Sequence, residues 1–183
     1  MLPIGPLMVE HRLIERVLRI MAAQAEAMKA ANSADPVGVE KIVHFIQVFA
    51  DLCHHGKEED ILFRELARKE ISPEHRRVMD ELIGEHRLAR QLTASISQAN
   101  ERYRRGEEEA LPAIADGFRR LVEFYPEHIR KEDKEFFIPV MDYFSREEKD
   151  AMLREGYEAD SRLLHKEHVT LAAGLESGAS KRR

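Results

Sequence analysis

The chain has 183 residues, with 29 basic and 34 acidic side chains, a formal net charge of −5 and a hydrophobic content of 43%. That length suits one ordinary domain and is short for two, and the composition is neither that of a disordered chain nor that of a membrane span, since no apolar run approaches the roughly 18 residues a bilayer requires. The acidic balance argues against a sequence-independent grip on nucleic acid. The single cysteine, Cys53, excludes an internal disulfide framework. The segment MLPIGPLMVEH lacks the regions of a secretory signal, so a reducing, cytoplasmic setting is expected, with no nucleic acid and no membrane as partner.

Breakers are sparse and well spaced, which predicts long helices with short connections and no strands. A first helix is expected over residues 7–31, from the helical spacing of Leu7, His11, Ile14, Leu18, Met21 and Ala25, and Asn32 to Pro36 ends it. A second, over 37–69, carries Ile42, Ile46, Leu62 and Leu66 on its apolar stripe, with Asp35 as N-cap and Pro36 at the first helical position. Ser72-Pro73 repeats that start signal for a third helix running to about Arg105, which Gly106 closes. The fourth, over 107–144, has Pro126 in its interior, where a kink or an interrupted hydrogen-bond ladder is expected. A fifth starts near Ser145 with Glu148 completing a capping box, and runs to about 176, leaving 177–183 as a frayed tail. The fold class expected is all-α: an antiparallel up-and-down four-helix bundle over 7–144 with an additional C-terminal helix.

Nine histidines need placing, and an internal repeat places four of them. Glu10-His11-Arg12-Leu13 recurs as Glu85-His86-Arg87-Leu88, and residues 53–63 align without a gap on 127–137. His11 and His86 are 75 residues apart, His54 and His128 are 74 apart. At about 1.5 Å of rise per residue, His11 and His54 both lie roughly 30 Å from the turn joining their helices, and the other two connections give the same agreement. All four fall in one layer of the bundle, accompanied by Glu58 and Glu132, each four residues after a histidine and so on its face. Four imidazoles and two carboxylates buried without a partner would cost many kcal/mol, a penalty that metal ions remove. Mixed imidazole and carboxylate ligation suits iron, with manganese or zinc as possible substitutes, and the repeat favours two ions.

The order His, His-x-x-x-Glu, His, His-x-x-x-Glu on successive helices resembles the hemerythrin-like, or HHE cation-binding, domains, over about residues 7–144 and including the Glu-Glu-x-x-Leu-Phe continuation after His54. The resemblance implies a non-haem di-iron centre in a four-helix bundle. His11, His54, His86 and His128 would be terminal ligands, Glu58 and Glu132 bridges. Where invertebrate hemerythrins carry a second histidine on the third helix this chain has Arg90, so a further coordination position would be open or differently filled. His55, Glu15 and His168 are the candidates to fill it; His55-x-x-x-Glu59 is also ligand-spaced, but the repeat selects His54, and α-helical rotation puts His55 about 100° away on a flank. Tyr125, one turn before His128, is a candidate donor to a bound ligand. The expected function is binding or sensing of oxygen, nitric oxide or peroxide. Redox turnover at the same site and iron handling or sensing are the alternatives, and the sequence points to no protein partner.

Overall fold

The computed structural model describes the backbone of residues 1–180 and the side chains of residues 1–172; residues 181–183 lie outside the described part. The described chain is helical, with no strand. Helix α1 spans Ile4–Ala31 and stops where Asn32 turns left-handed at φ 47°, a conformation asparagine tolerates better than most residues. Helix α2 covers residues 36–66. Asp35 caps it by accepting from the backbone N–H of Val37, with Pro36 in the first turn. Helix α3 is Pro73–Arg104, capped by Ser72 accepting from the N–H of His75, and Gly106 at φ 91° turns the chain out of it. After a 3₁₀ turn at Glu108–Ala110, helix α4 covers residues 111–140. It stays α-helical through Pro126 as far as Arg130, so the expected interruption is not at the proline. Helix α5 is Arg146–Ser180, started by the reciprocal pair Ser145 N–H to Glu148 and Glu148 N–H to the Ser145 hydroxyl. Its backbone remains helical to Ser180, four residues into the stretch expected to fray.

The ladder changes elsewhere. Helix α2 is π-helical over Ile46–His55 and again over Glu58–Phe63, and α4 is π-helical over Lys131–Phe136. The Glu58–Phe63 and Lys131–Phe136 stretches correspond in the repeat, whereas the counterpart of Ile46–His55, residues 120–129, is α-helical. A π turn closes i→i+5 bonds, so successive side chains are rotated less about the axis than in an α-helix and more of them share one face.

Helix α1 packs on α4, α4 on α3, and α3 on α2, while α5 lies along the π-helical part of α2. Gly117 permits close approach of α3 and α4, since a Cβ there would stand 2.3 Å from Cγ1 of Ile96. Two apolar clusters form the core. One holds Ile14, Leu18, Met21, Ile46, Leu92, Ile96, Phe118 and Tyr125, and the other Leu7, Leu62, Phe63, Leu82, Phe136, Phe137 and Met152. Along α1 and α3 the chain passes from the second cluster through His11 or His86 to the first; along α2 and α4 it passes the other way through His54 or His128. A buried polar layer therefore separates two apolar ones. No described helix is long and apolar enough to cross a membrane.

Candidate metal centre

The polar layer contains His11, His54, Glu58, His86, His128 and Glu132, all essentially without solvent contact. His55 is there as well, 1% exposed, its ring stacked on that of His86 with centroids 3.9 Å apart. Its expected place on a flank is corrected by the π-helical ladder of α2: with less rotation between neighbours, His54 and His55 both turn inward.

The carboxylates span the layer. Glu58 has Oε1 3.2 Å from Nε2 of His54 and Oε2 3.3 Å from Nε2 of His86. Glu132 has Oε2 3.1 Å from Nε2 of His11, and Oε1 3.5 Å and 3.4 Å from Nε2 of His86 and His128. Ligand atoms of His55, His86 and His128 lie within 4.8 Å of one another, as do those of His11, His54, Glu58 and Glu132. Each group could hold a cation.

What points the ring nitrogens inward is an outer row of acids. His11 donates from Nδ1 to Asp133 at 2.8 Å, His54 to Glu10 at 2.9 Å, His86 to Glu59 at 2.7 Å and His128 to Glu85 at 2.8 Å. His55 makes a longer contact of 3.4 Å with Asp51. Each bond fixes the Nδ1–H tautomer and leaves Nε2 as a lone pair toward the layer, the arrangement metal-binding imidazoles use. Behind the acids stand cations. Lys57 pairs with Glu10, Lys131 with Glu85 and Arg12 with Asp133, while Arg90 donates to Asp51 at 2.7 Å and Glu59 at 2.8 Å. The repeat is kept in this outer row: the glutamate before His11 serves His54, and the glutamate before His86 serves His128.

The residues fit a metal on the chemistry of their unpaired atoms. Among the described residues, both oxygens of Glu58 and of Glu132, and Nε2 of His55, His86 and His128, have no hydrogen-bond donor. Nε2 of His11 faces Nε2 of His54 at 2.9 Å. All are lone pairs aimed at common points, and buried acceptors cannot satisfy one another. Protons are the weaker substitute for cations. Burial disfavours a charged His11, but Asp133 and Glu132 outweigh it and raise its pKa to about 10. At His86 burial is likewise overcome, by Glu132, Glu58 and Glu59, giving about 11. Burial opposes ionisation of Glu132, yet the surrounding imidazoles, His128 foremost, hold it well below the usual carboxylate range. His55 goes the other way: burial, then the neighbouring His86, His54 and His128, push its pKa well down, so it stays neutral.

The other sequence candidates lie outside the layer. Glu15 pairs with Arg12 at 2.9 Å near the surface. His168 is exposed and bonds the carbonyl of Leu164 in its own helix. Arg90 braces the acids behind His55 and His86. Burial raises the pKa of the Cys53 thiol to about 12, and it donates to Asp160 at 3.2 Å. Tyr125 is buried beside His55 and His128, and its hydroxyl has no partner among the described residues. Sequence reasoning missed the outer acids and cations; their signal was present, because Glu10 and Glu85, Lys57 and Lys131, and Glu59 and Asp133 occupy equivalent places in the repeat.

Comparison with known proteins agrees with this geometry. No curated protein and no solved structure matches the chain. The hemerythrin HHE cation-binding domain matches it over residues 2–138, which takes in every residue of the layer, and the chain belongs to that family.

Proposed function

We propose that the chain binds two iron ions within an antiparallel four-helix bundle formed by α1–α4, and that the centre binds or senses a small ligand such as oxygen, nitric oxide or peroxide. The observation that carries this reading is the disposition of the two carboxylates. Each directs one oxygen toward the His11 and His54 side and the other toward the His86 and His128 side, as bridges between two ions would. The reversed order of the apolar clusters along successive helices supports the up-and-down arrangement.

In this reading His55, His86 and His128 would hold one ion and His11 and His54 the other, with Glu58 and Glu132 available to both. His55 thus takes the part that Arg90 leaves vacant on α3. The bound irons supply reversible electron transfer and coordination of a small ligand. The protein's part is to fix the Nδ1–H tautomer of His11, His54, His86 and His128 through the acid behind each, which orients Nε2 to the layer and makes it a stronger donor to a cation, to exclude bulk water with the apolar layers above and below, and to neutralise the outer acids with Lys57, Lys131, Arg12 and Arg90.

The test is metal analysis of protein produced with iron, followed by the absorption spectrum of the reduced protein exposed to oxygen, nitric oxide and peroxide. Two irons per chain and a reversible spectral response are expected. A single ion without heterogeneity refutes the dinuclear centre, and sustained consumption of a ligand would make the protein a redox enzyme instead.

A further inference from the structure

The outer row is not fully symmetric, and the departure involves α5. In the second half of the repeat Lys131 pairs with Glu85, which holds His128, and its Nζ stands 3.7 Å from Glu81, one turn earlier on α3. In the first half Lys57 pairs with Glu10, which holds His54. The place of Glu81, 75 residues earlier, is taken by Pro6, which has no charge to offer. The carboxylate comes instead from outside the repeat: Asp160 of α5 accepts from Nζ of Lys57 at 2.7 Å and, on the same oxygen, from the Cys53 thiol at 3.2 Å. Helix α5 passes so close that a Cβ on Gly156 would stand 3.7 Å from Cδ of Lys57, and Lys57 is 6% exposed where Lys131 is 17% exposed. Burial disfavours a charged Lys57, but Asp160 and Glu10 outweigh it and raise its pKa to about 12. Glu10, Lys57 and Asp160 together place one net negative charge behind His54, as Glu85, Lys131 and Glu81 do behind His128. Without Asp160 the sum behind His54 is zero, and a buried Lys57 left with one partner draws more of the charge on Glu10. Glu10 then accepts less strongly from Nδ1 of His54, and Nε2 becomes a weaker donor to a cation.

We propose that Asp160 is a positioning residue of the metal centre, acting through Lys57 and Glu10 on His54, and that α5 is thereby coupled to the ion held by His11 and His54 and not to the other. Coupling of this kind is reciprocal: whatever affinity Asp160 adds for that ion, the ion returns as tighter docking of α5. Other ion pairs that hold α5 do not reach the centre. Arg64 meets Glu155 at 2.9 Å and 2.7 Å, and Lys69 meets Glu148 at 2.6 Å, both further along α2 and its turn.

The inference rests on the metal reading, and zinc, a diamagnetic ion, is the probe that separates the two, with zinc content measured in every sample. Asp160→Asn is expected to weaken one of the two ions about three- to tenfold in chelator competition, less than the roughly 10–100-fold of a group bonded directly to a ligand, and to leave the other unchanged. In NMR spectra of the loaded variant the Nδ1–H proton of His54 moves upfield as its hydrogen bond weakens, while that of His128 stays in place. Loading slows amide hydrogen exchange in α5 of the parent, an effect that the variant loses. Pro6→Glu added to Asp160→Asn puts a carboxylate at the place it has in the second half and restores the affinity. Glu155→Gln, which loosens α5 without touching Lys57, leaves both imidazole signals unmoved. Parental affinities with an unmoved His54 proton in Asp160→Asn would overturn the proposal, as would equal shifts at His54 and His128, or the same effects in Glu155→Gln. Parent protein that takes up no metal refutes the metal reading itself.

Discussion

Replacing His55 by leucine should move stability in opposite directions with and without metal. In the metal-free chain the imidazole is buried, neutral and poorly bonded, with Nε2 unpaired and Nδ1 3.4 Å from Asp51. Leucine is close in volume and brings no polar atoms. Removing an unsatisfied buried polar group should stabilise the metal-free protein by about 1–3 kcal/mol, or roughly 2–4 °C of Tm per kcal/mol in a chain of this size. In the loaded protein the same change deletes a ligand. Metal stabilises the fold by about 4 kcal/mol when present at a thousand times its dissociation constant, and every tenfold loss of affinity removes about 1.4 kcal/mol of that. A hundredfold weakening removes about 2.8 kcal/mol and so outweighs all but the top of that gain. The assay is a pair of thermal melts, one with chelator and one with a fixed excess of ferrous iron, together with metal analysis. A decrease in Tm of equal size under both conditions, with two irons retained, would refute the assignment of His55 and return it to a packing role.

Other expectations concern the outer row and the protons. Glu10→Gln and Glu85→Gln should each lower metal affinity about 10–100-fold by loosening the tautomer of His54 and of His128, with similar effects because the two are equivalent in the repeat; competition with a chromogenic chelator measures it. Arg90→Met frees both Asp51 and Glu59, and should weaken the ion held by His55, His86 and His128 while sparing the other, seen as a biphasic chelator titration. In the metal-free protein His11 and His86 titrate at about 10 and about 11, above an unfolded value near 6.5. Their protons contribute stability that is fully present below about pH 6.5 and lost as pH rises through 10 to 11, so metal-free protein should become easier to unfold by denaturant over that alkaline range. Metal must displace those same protons, so loading at pH 7 should release protons into a weak buffer and affinity should rise with pH.

The layer was legible because a periodic helix converts sequence distance into height. His11, His54, His86 and His128 lie at matching distances from their turns, and a constant rise per residue brings them level whatever the side-chain details. Rotation about the axis is less forgiving. An α-helical angle puts His55 on a flank, but the chain is π-helical there, and π turns have no clear mark in a single sequence. Pro126 illustrates the same gap: it pointed to a break, and the change of ladder begins at Lys131 instead. The acids behind the imidazoles are written in the repeat, but exposed and buttressing glutamates have the same spelling, and only the packing of each helix on its neighbours distinguishes them.

The outer row also determines when in folding the centre can exist. Asp133 of α4 buttresses His11 of α1, and Glu59 of α2 buttresses His86 of α3, so each half of the repeat completes the other's ligands. The first of these contacts closes a loop of more than a hundred residues, a long-range pairing of the kind that forms late and slows folding. Neither the α1–α2 hairpin nor the α3–α4 hairpin can assemble a properly oriented centre by itself. Metal uptake during refolding should then track the final docking of the two halves rather than the collapse of either, and ion release should coincide with their separation.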